Sequence, residues 1–135
     1  MKIADIMTPC PYRIGASTSL DEALEKMSLR NIRHLPVIEG SRLVGVLSER
    51  DARLSKLVCE VTGNCPTAGA VCSTDPHIFQ AEDDVSIVAK EMAERKIDCA
   101  LVADEAGNFV GIFTTTDACR LIHLILEEIS SGDDE

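Results

Sequence analysis

A chain of 135 residues suffices for one ordinary compact domain, and 45% apolar residues with only 3% aromatics means that any core must be aliphatic. A formal net charge of −10 repels phosphate backbones, and the scarcity of aromatic rings removes the platforms on which single-stranded nucleic acids stack, so nucleic acid is excluded as an expected partner. No apolar run approaches the ~20 residues of a membrane span. The opening Met1-Lys2-Ile3-Ala4-Asp5-Ile6 has no signal-peptide apolar stretch, which predicts a cytoplasmic protein with no membrane partner.

The charge is divided unevenly. Residues 1–66 hold nine Lys/Arg against eight Asp/Glu, whereas residues 67–135 hold four against fifteen. An anionic ligand is therefore expected to lean on the first half. The cysteines are Cys10, Cys59, Cys65, Cys72, Cys99 and Cys119, with no C-x-x-C pair. In a cytoplasmic setting they are expected to be reduced. Cys59, Cys65 and Cys72 with His77 offer soft ligands, but at irregular spacing, and no metal site is expected.

Taken in chain order, the predicted elements occur twice. A lead-in segment, residues 2–8, falls on residues 67–73 when the chain is slid by 65 positions, and Pro11 then falls on Pro76. A helix follows in each half: Leu20, Ala23, Leu24 and Met27 form one i, i+3, i+4, i+7 stripe, and Val85, Val88, Ala89 and Met92 form the other. Asp21 and Asp84 lie near the two helix starts, where carboxylates suit the dipole. Next come two apolar runs joined by a turn, His34–Ile38 and Leu43–Leu47 in the first half, Cys99–Ala103 and Phe109–Phe113 in the second, each pair reading as a β-hairpin. Each hairpin feeds a second helix opened by S/T-x-x-D, Ser48 to Asp51 and Thr114 to Asp117. The last helix carries Leu121, Ile122, Leu124, Ile125, Leu126 and Ile129, a stripe wider than one groove requires, which points to a second subunit.

The reading is an α+β chain of tandem repeats related by pseudo-twofold symmetry: repeat 1 over 1–58, a linker over 59–66, repeat 2 over 67–129 and an acidic, disordered tail over 130–135. Nothing resembles a phosphate loop, a nucleophile elbow or a metal-hydrolase motif, and no enzyme activity is expected.

The residues Arg33-His34-Leu35-Pro36-Val37-Ile38, Gly45-Val46-Leu47-Ser48-Glu49-Arg50-Asp51 and Gly111-Ile112-Phe113-Thr114-Thr115-Thr116-Asp117 resemble the CBS domain, the repeat of cystathionine β-synthase, which normally occurs in pairs. The resemblance covers nearly the whole chain. It implies a βαββα repeat and a stand-alone pair with clefts between the repeats that hold AMP, ADP, ATP, S-adenosylmethionine or a related ligand, with no required cofactor. It also implies a homodimer that signals to a protein target still to be found. A ligand-free dimerisation or protein-interaction module is the alternative.

In nucleotide-binding relatives the motif aspartate, here Asp51 or Asp117, accepts hydrogen bonds from the ribose diol, while basic residues at the positions of Arg33 and His34 contact phosphate. Ser48 and Thr114 would assist at the helix N-termini. The same spacing is also that of a capping box, with Ser48 or Thr114 as N-cap and the aspartate at N3. The second repeat departs from the pattern, with Asp98 and Cys99 at the positions of Arg33 and His34. The resemblance thus implies a preferred cleft combining Ile32, Arg33 and His34 with Thr114 and Asp117, and a poorer one combining Ile97 and Asp98 with Asp51.

Overall fold

The computed structural model describes residues 1–9, 12–74 and 77–133. After a short 3₁₀ turn, Ile3–Asp5, the order is β1 (Thr8–Pro9), β2 (Ile14–Gly15), α1 (Leu20–Arg30), β3 (His34–Glu39), β4 (Arg42–Ser48), α2 (Glu49–Thr62), α3 (Ala68–Val71), β5 (Ile78–Gln80), α4 (Val85–Arg95), β6 (Cys99–Ala103), β7 (Phe109–Thr114) and α5 (Thr115–Asp133). The mixed α+β class and the doubled element order are those expected.

The chain forms two compact units, and they do not follow the chain-order boundaries. The first unit is residues 12–76; the second joins residues 1–11 to 77–135. The lead-in segments have exchanged partners. Ile3, fully buried, packs with Phe79, Val88 and Phe113 in the core of the second unit. Ala68 and Cys72 pack with Leu35, Val37 and Leu47 in the core of the first. Repeat boundaries at 1–58 and 67–129 describe the sequence repeat and not the packed unit, because each apolar lead-in is buried against the hairpin of the other repeat.

In the first unit, β2 runs parallel to β3 and β3 antiparallel to β4, with His34 opposite Ser48 and Leu35 opposite Leu47. In the second, β5 runs parallel to β6 and β6 antiparallel to β7, with Cys99 opposite Thr114. The exchanged segments close the free edges: β1 pairs with β7, Thr8 opposite Ile112, and Ser73 bridges Val46 of β4. These close approaches explain two glycines. A Cβ at Gly45 would overlap the backbone carbonyl of Ser73, and one at Gly111 would overlap the thioether of Met7.

The helices are capped as their sequences suggest. Ser19 Oγ accepts from Glu22 N–H at 3.1 Å, and Asp84 Oδ1 from Ser86 N–H at 2.8 Å. Asn31 and Lys96, at equivalent positions, both end their helices in the left-handed conformation, φ 53° and 57°.

Three expectations are corrected. The linker begins later than 59, because α2 continues to Thr62 and stops at Gly63. The tail is not disordered from 130, because α5 runs to Asp133; residues 134 and 135 lie outside the described ones, as do Cys10, Pro11 and Pro76. The cysteines are not all reduced, for Cys59 is disulfide-bonded to Cys65, with Cα atoms 4.7 Å apart. The stop at Gly63 turns the chain back so that Cys65 meets the last turn of the helix it has just left. Cys72 and Cys99 are buried thiols, and Cys119 is exposed. No helix among the described residues is long and apolar enough to cross a membrane.

Candidate ligand-binding site

Each unit gathers its own set of polar residues where the first strand of the hairpin begins and the second helix starts. In the first unit the pairing of His34 with Ser48 brings the strand start to the helix cap. The backbone carbonyl of Arg33 accepts from Glu49 N–H at 2.8 Å, and Ser48 Oγ accepts from Asp51 N–H at 3.1 Å. Ile32 is half-buried against the core. Five expected residues, Ile32, Arg33, His34, Ser48 and Asp51, are thus brought together. Arg33 and Asp51 are exposed, and neither has an ion-pair partner among the described residues. A guanidinium and a carboxylate flanking a helix N-terminus can take a phosphate and a diol respectively.

The second unit repeats the backbone bond that ties strand start to helix start. Thr115 N–H donates to the carbonyl of Asp98 at 3.1 Å, as Glu49 does to Arg33. The side chains differ. Thr114 and Asp117 form a complete capping box: Asp117 N–H donates to Thr114 Oγ1 at 3.3 Å, and Asp117 Oδ2 accepts from Thr114 N–H at 2.9 Å and from its hydroxyl at 3.1 Å. Asp117 Oδ1 accepts from the Thr8 hydroxyl and from Arg120, both at 3.2 Å. The carboxylate is only 10% exposed. Of the two readings of S/T-x-x-D, capping is complete at Thr114 and Asp117. At Ser48 and Asp51 only the serine-to-amide half is formed, and the aspartate is left open.

The electrostatics separate the two sets further. Cys99 stands where the first unit has His34. Burial, then the charges of Asp117 and Asp98, push its thiol up from 9.0 to about 12, so it remains a neutral, unreactive group. The two carboxylates that add to this shift also oppose an incoming anion.

Thr8 and Ser73 were not legible as site residues. They are equivalent in the repeat, and each reaches its place only through the exchange: Thr8 binds Asp117, and Ser73 lies against β4 beside the Ser48 strand end. Arg120 is held by Asp117 while its side chain stays 65% exposed.

With this geometry in view, the CBS domain family matches residues 3–55 and 68–124, the two repeats in order. The chain belongs to the CBS domain family. It is a CBS-domain pair. A solved structure of CBSX2 from Arabidopsis thaliana in complex with AMP is similar to it at 28% identity and a TM-score of 0.78, covering 92% of this chain and 97% of that one. AcuB of Vibrio cholerae, ascribed to acetoin utilization, is similar at 25% identity and a TM-score of 0.86, covering 97% and 96%. Among curated proteins, the homoserine O-acetyltransferase of Methanocorpusculum labreanum is 28% identical over 85% of this chain, which spans only 23% of that enzyme's length. A CBS domain-containing protein of Dictyostelium discoideum is 23% identical, with 94% of both chains covered.

Proposed function

We propose that this CBS pair is a sensor that binds an adenine nucleotide or related adenosyl ligand and passes its occupancy to a protein partner, with no catalysis of its own. The observation that carries this reading is the set at the start of α2. It combines the exposed guanidinium of Arg33, the histidine His34 in register with Ser48, and the open carboxylate of Asp51. Those are the groups a ribose and a phosphate require, and the AMP complex of CBSX2 supports adenosine monophosphate as the first ligand to try. Ile32, half-buried beside them, lies on the adenine side.

The protein works as a cytoplasmic homodimer in this proposal. Ile122, Leu124, Ile125, Leu126 and Ile129 of α5 are all more than 40% exposed, an apolar stripe that a second copy would cover. A ligand signals only if it prefers one arrangement of the pair over another.

Calorimetric titration with AMP, ADP, ATP and S-adenosylmethionine tests the reading. At a hundredfold excess over Kd the bound ligand adds about 2.7 kcal/mol to stability. Arg33→Gln and Asp51→Ala are expected to weaken AMP binding about tenfold or more each, the loss of a charge-assisted hydrogen bond. Flat titrations with all four ligands would replace the sensor by the ligand-free dimerisation module.

A further inference from the structure

Within the second unit, α4 and α5 leave a cavity of about 340 Å³ between them. Its floor is made by the buried side chains of Met92, Ile97 and Phe113, and Ala89 forms part of its wall. Lys96 and Asp98 border it, both exposed and opposite in charge, and neither has an ion-pair partner among the described residues. The lining includes none of Ile32, Arg33, His34, Ser48 and Asp51, so this is a different place from the proposed nucleotide site, although Ile97 and Asp98 belong to the poorer cleft that the resemblance implies.

The first unit closes the equivalent space. Leu24 stands where the second repeat has Ala89, and it is 9% exposed against the packed pair α1 and α2. An ion pair between Lys56 and Asp21, 2.7 Å long, ties those two helices together. The equivalent residues in the second unit are Ile122 and Ser86, which cannot form it. The fold therefore does not demand the gap. Two changes in the second repeat open it, one removing a large side chain and the other a helix-to-helix tie.

We propose that this cavity binds a free α-amino acid with an aliphatic or thioether side chain. The side chain lies on Met92, Ile97 and Phe113, the carboxylate meets the Lys96 ammonium, and the ammonium meets the Asp98 carboxylate. The volume lies near the lower end of the roughly 300–1,000 Å³ typical of small-molecule sites, and it is ample for a molecule of this size. The pair of charges selects the class. A simple anion is opposed by Asp98, a simple cation by Lys96, and only a zwitterion satisfies both while placing an apolar chain between the helices.

The test uses the intact protein titrated with L-leucine and L-methionine, followed by calorimetry and by amide chemical shifts of α4. Saturable binding is expected, with shifts at residues 89–98. 4-Methylpentanoate and isopentylamine, each leucine less one charged group, are expected to bind at least tenfold more weakly. Lys96→Gln and Asp98→Asn should each cost about tenfold in leucine affinity, one charge-assisted hydrogen bond. Ala89→Leu, which restores the side chain of the first repeat, should abolish leucine binding and leave AMP binding unchanged, so that the two sites fail separately. The proposal is overturned by flat titrations with both amino acids or by 4-methylpentanoate binding as well as leucine. It is also overturned by an Ala89→Leu protein that binds leucine like the wild type, or by that substitution splitting a dimer whose wild-type form ignores both amino acids.

Discussion

The two units share one plan and put it to different uses. At equivalent positions the first carries Arg33 and His34 where the second carries Asp98 and Cys99, and Leu24 where the second has Ala89. The first leaves the Asp51 carboxylate open, while the second holds Asp117 with Thr114, Thr8 and Arg120. One repeat thus offers an anion a cation and an open helix start, and the other meets it with two carboxylates. The difference shows that a duplicated backbone preserves hydrogen-bond geometry, as in the paired Glu49–Arg33 and Thr115–Asp98 bonds, while surface chemistry diverges freely around it.

Three changes probe that comparison, and the largest effect is expected from pH. The folded state keeps the Cys99 proton that the unfolded thiol loses above pH 9.0, so the folded protein binds more protons and stability falls as pH rises from 9.0 through about 12. The loss approaches about 1.4 kcal/mol per pH unit within that window, up to about 4 kcal/mol in total. Urea unfolding between pH 8 and 11 on wild type and Cys99→Ala measures it, and the variant should lose most of the slope. Lys2 and Lys56, whose ammonium pKa values are raised by hydrogen bonds to Glu82 and Asp21 respectively, leave a smaller alkaline decline in both proteins. Equal slopes in the two would mean that Cys99 is not buried among those charges.

The glycines give a sharper contrast between the units. Gly45→Ala drives a methyl into the backbone of Ser73, which can move only by breaking the Val46 bridge, whereas Gly111→Ala meets the flexible end of Met7. Losses of about 3 kcal/mol for the first and about 1 kcal/mol for the second are expected in thermal or chemical unfolding. Equal costs would show that the two lead-in segments are held alike.

The smallest effect concerns the aspartates. Asp117→Ala removes an acceptor used by the Thr114 amide and hydroxyl, Thr8 and Arg120, and should cost about 2 kcal/mol, while Asp51→Ala, which leaves the Ser48 cap in place, should cost under about 0.5 kcal/mol. Differential scanning calorimetry of the two variants separates them. A larger loss for Asp51 would reverse the reading of which carboxylate is spare.

The sequence alone was enough for the repeat, the helix stripes, the hairpins and the two S/T-x-x-D starts, because periodicity and capping are local and each element must satisfy its own backbone. It also marked the Arg33 and Asp98 asymmetry, since equivalent positions can be compared by counting. Only the tertiary structure decided which sheet edge each lead-in segment covers, and hence that Thr8 binds Asp117 and that Gly45 faces Ser73. It alone brought Cys65 back onto Cys59 and left α4 apart from α5 while α1 closed on α2. Those outcomes depend on contacts between residues far apart in the chain, where two lead-in segments of similar apolar character have two similar edges to choose from. Total packing settles that choice, and no local pattern records it.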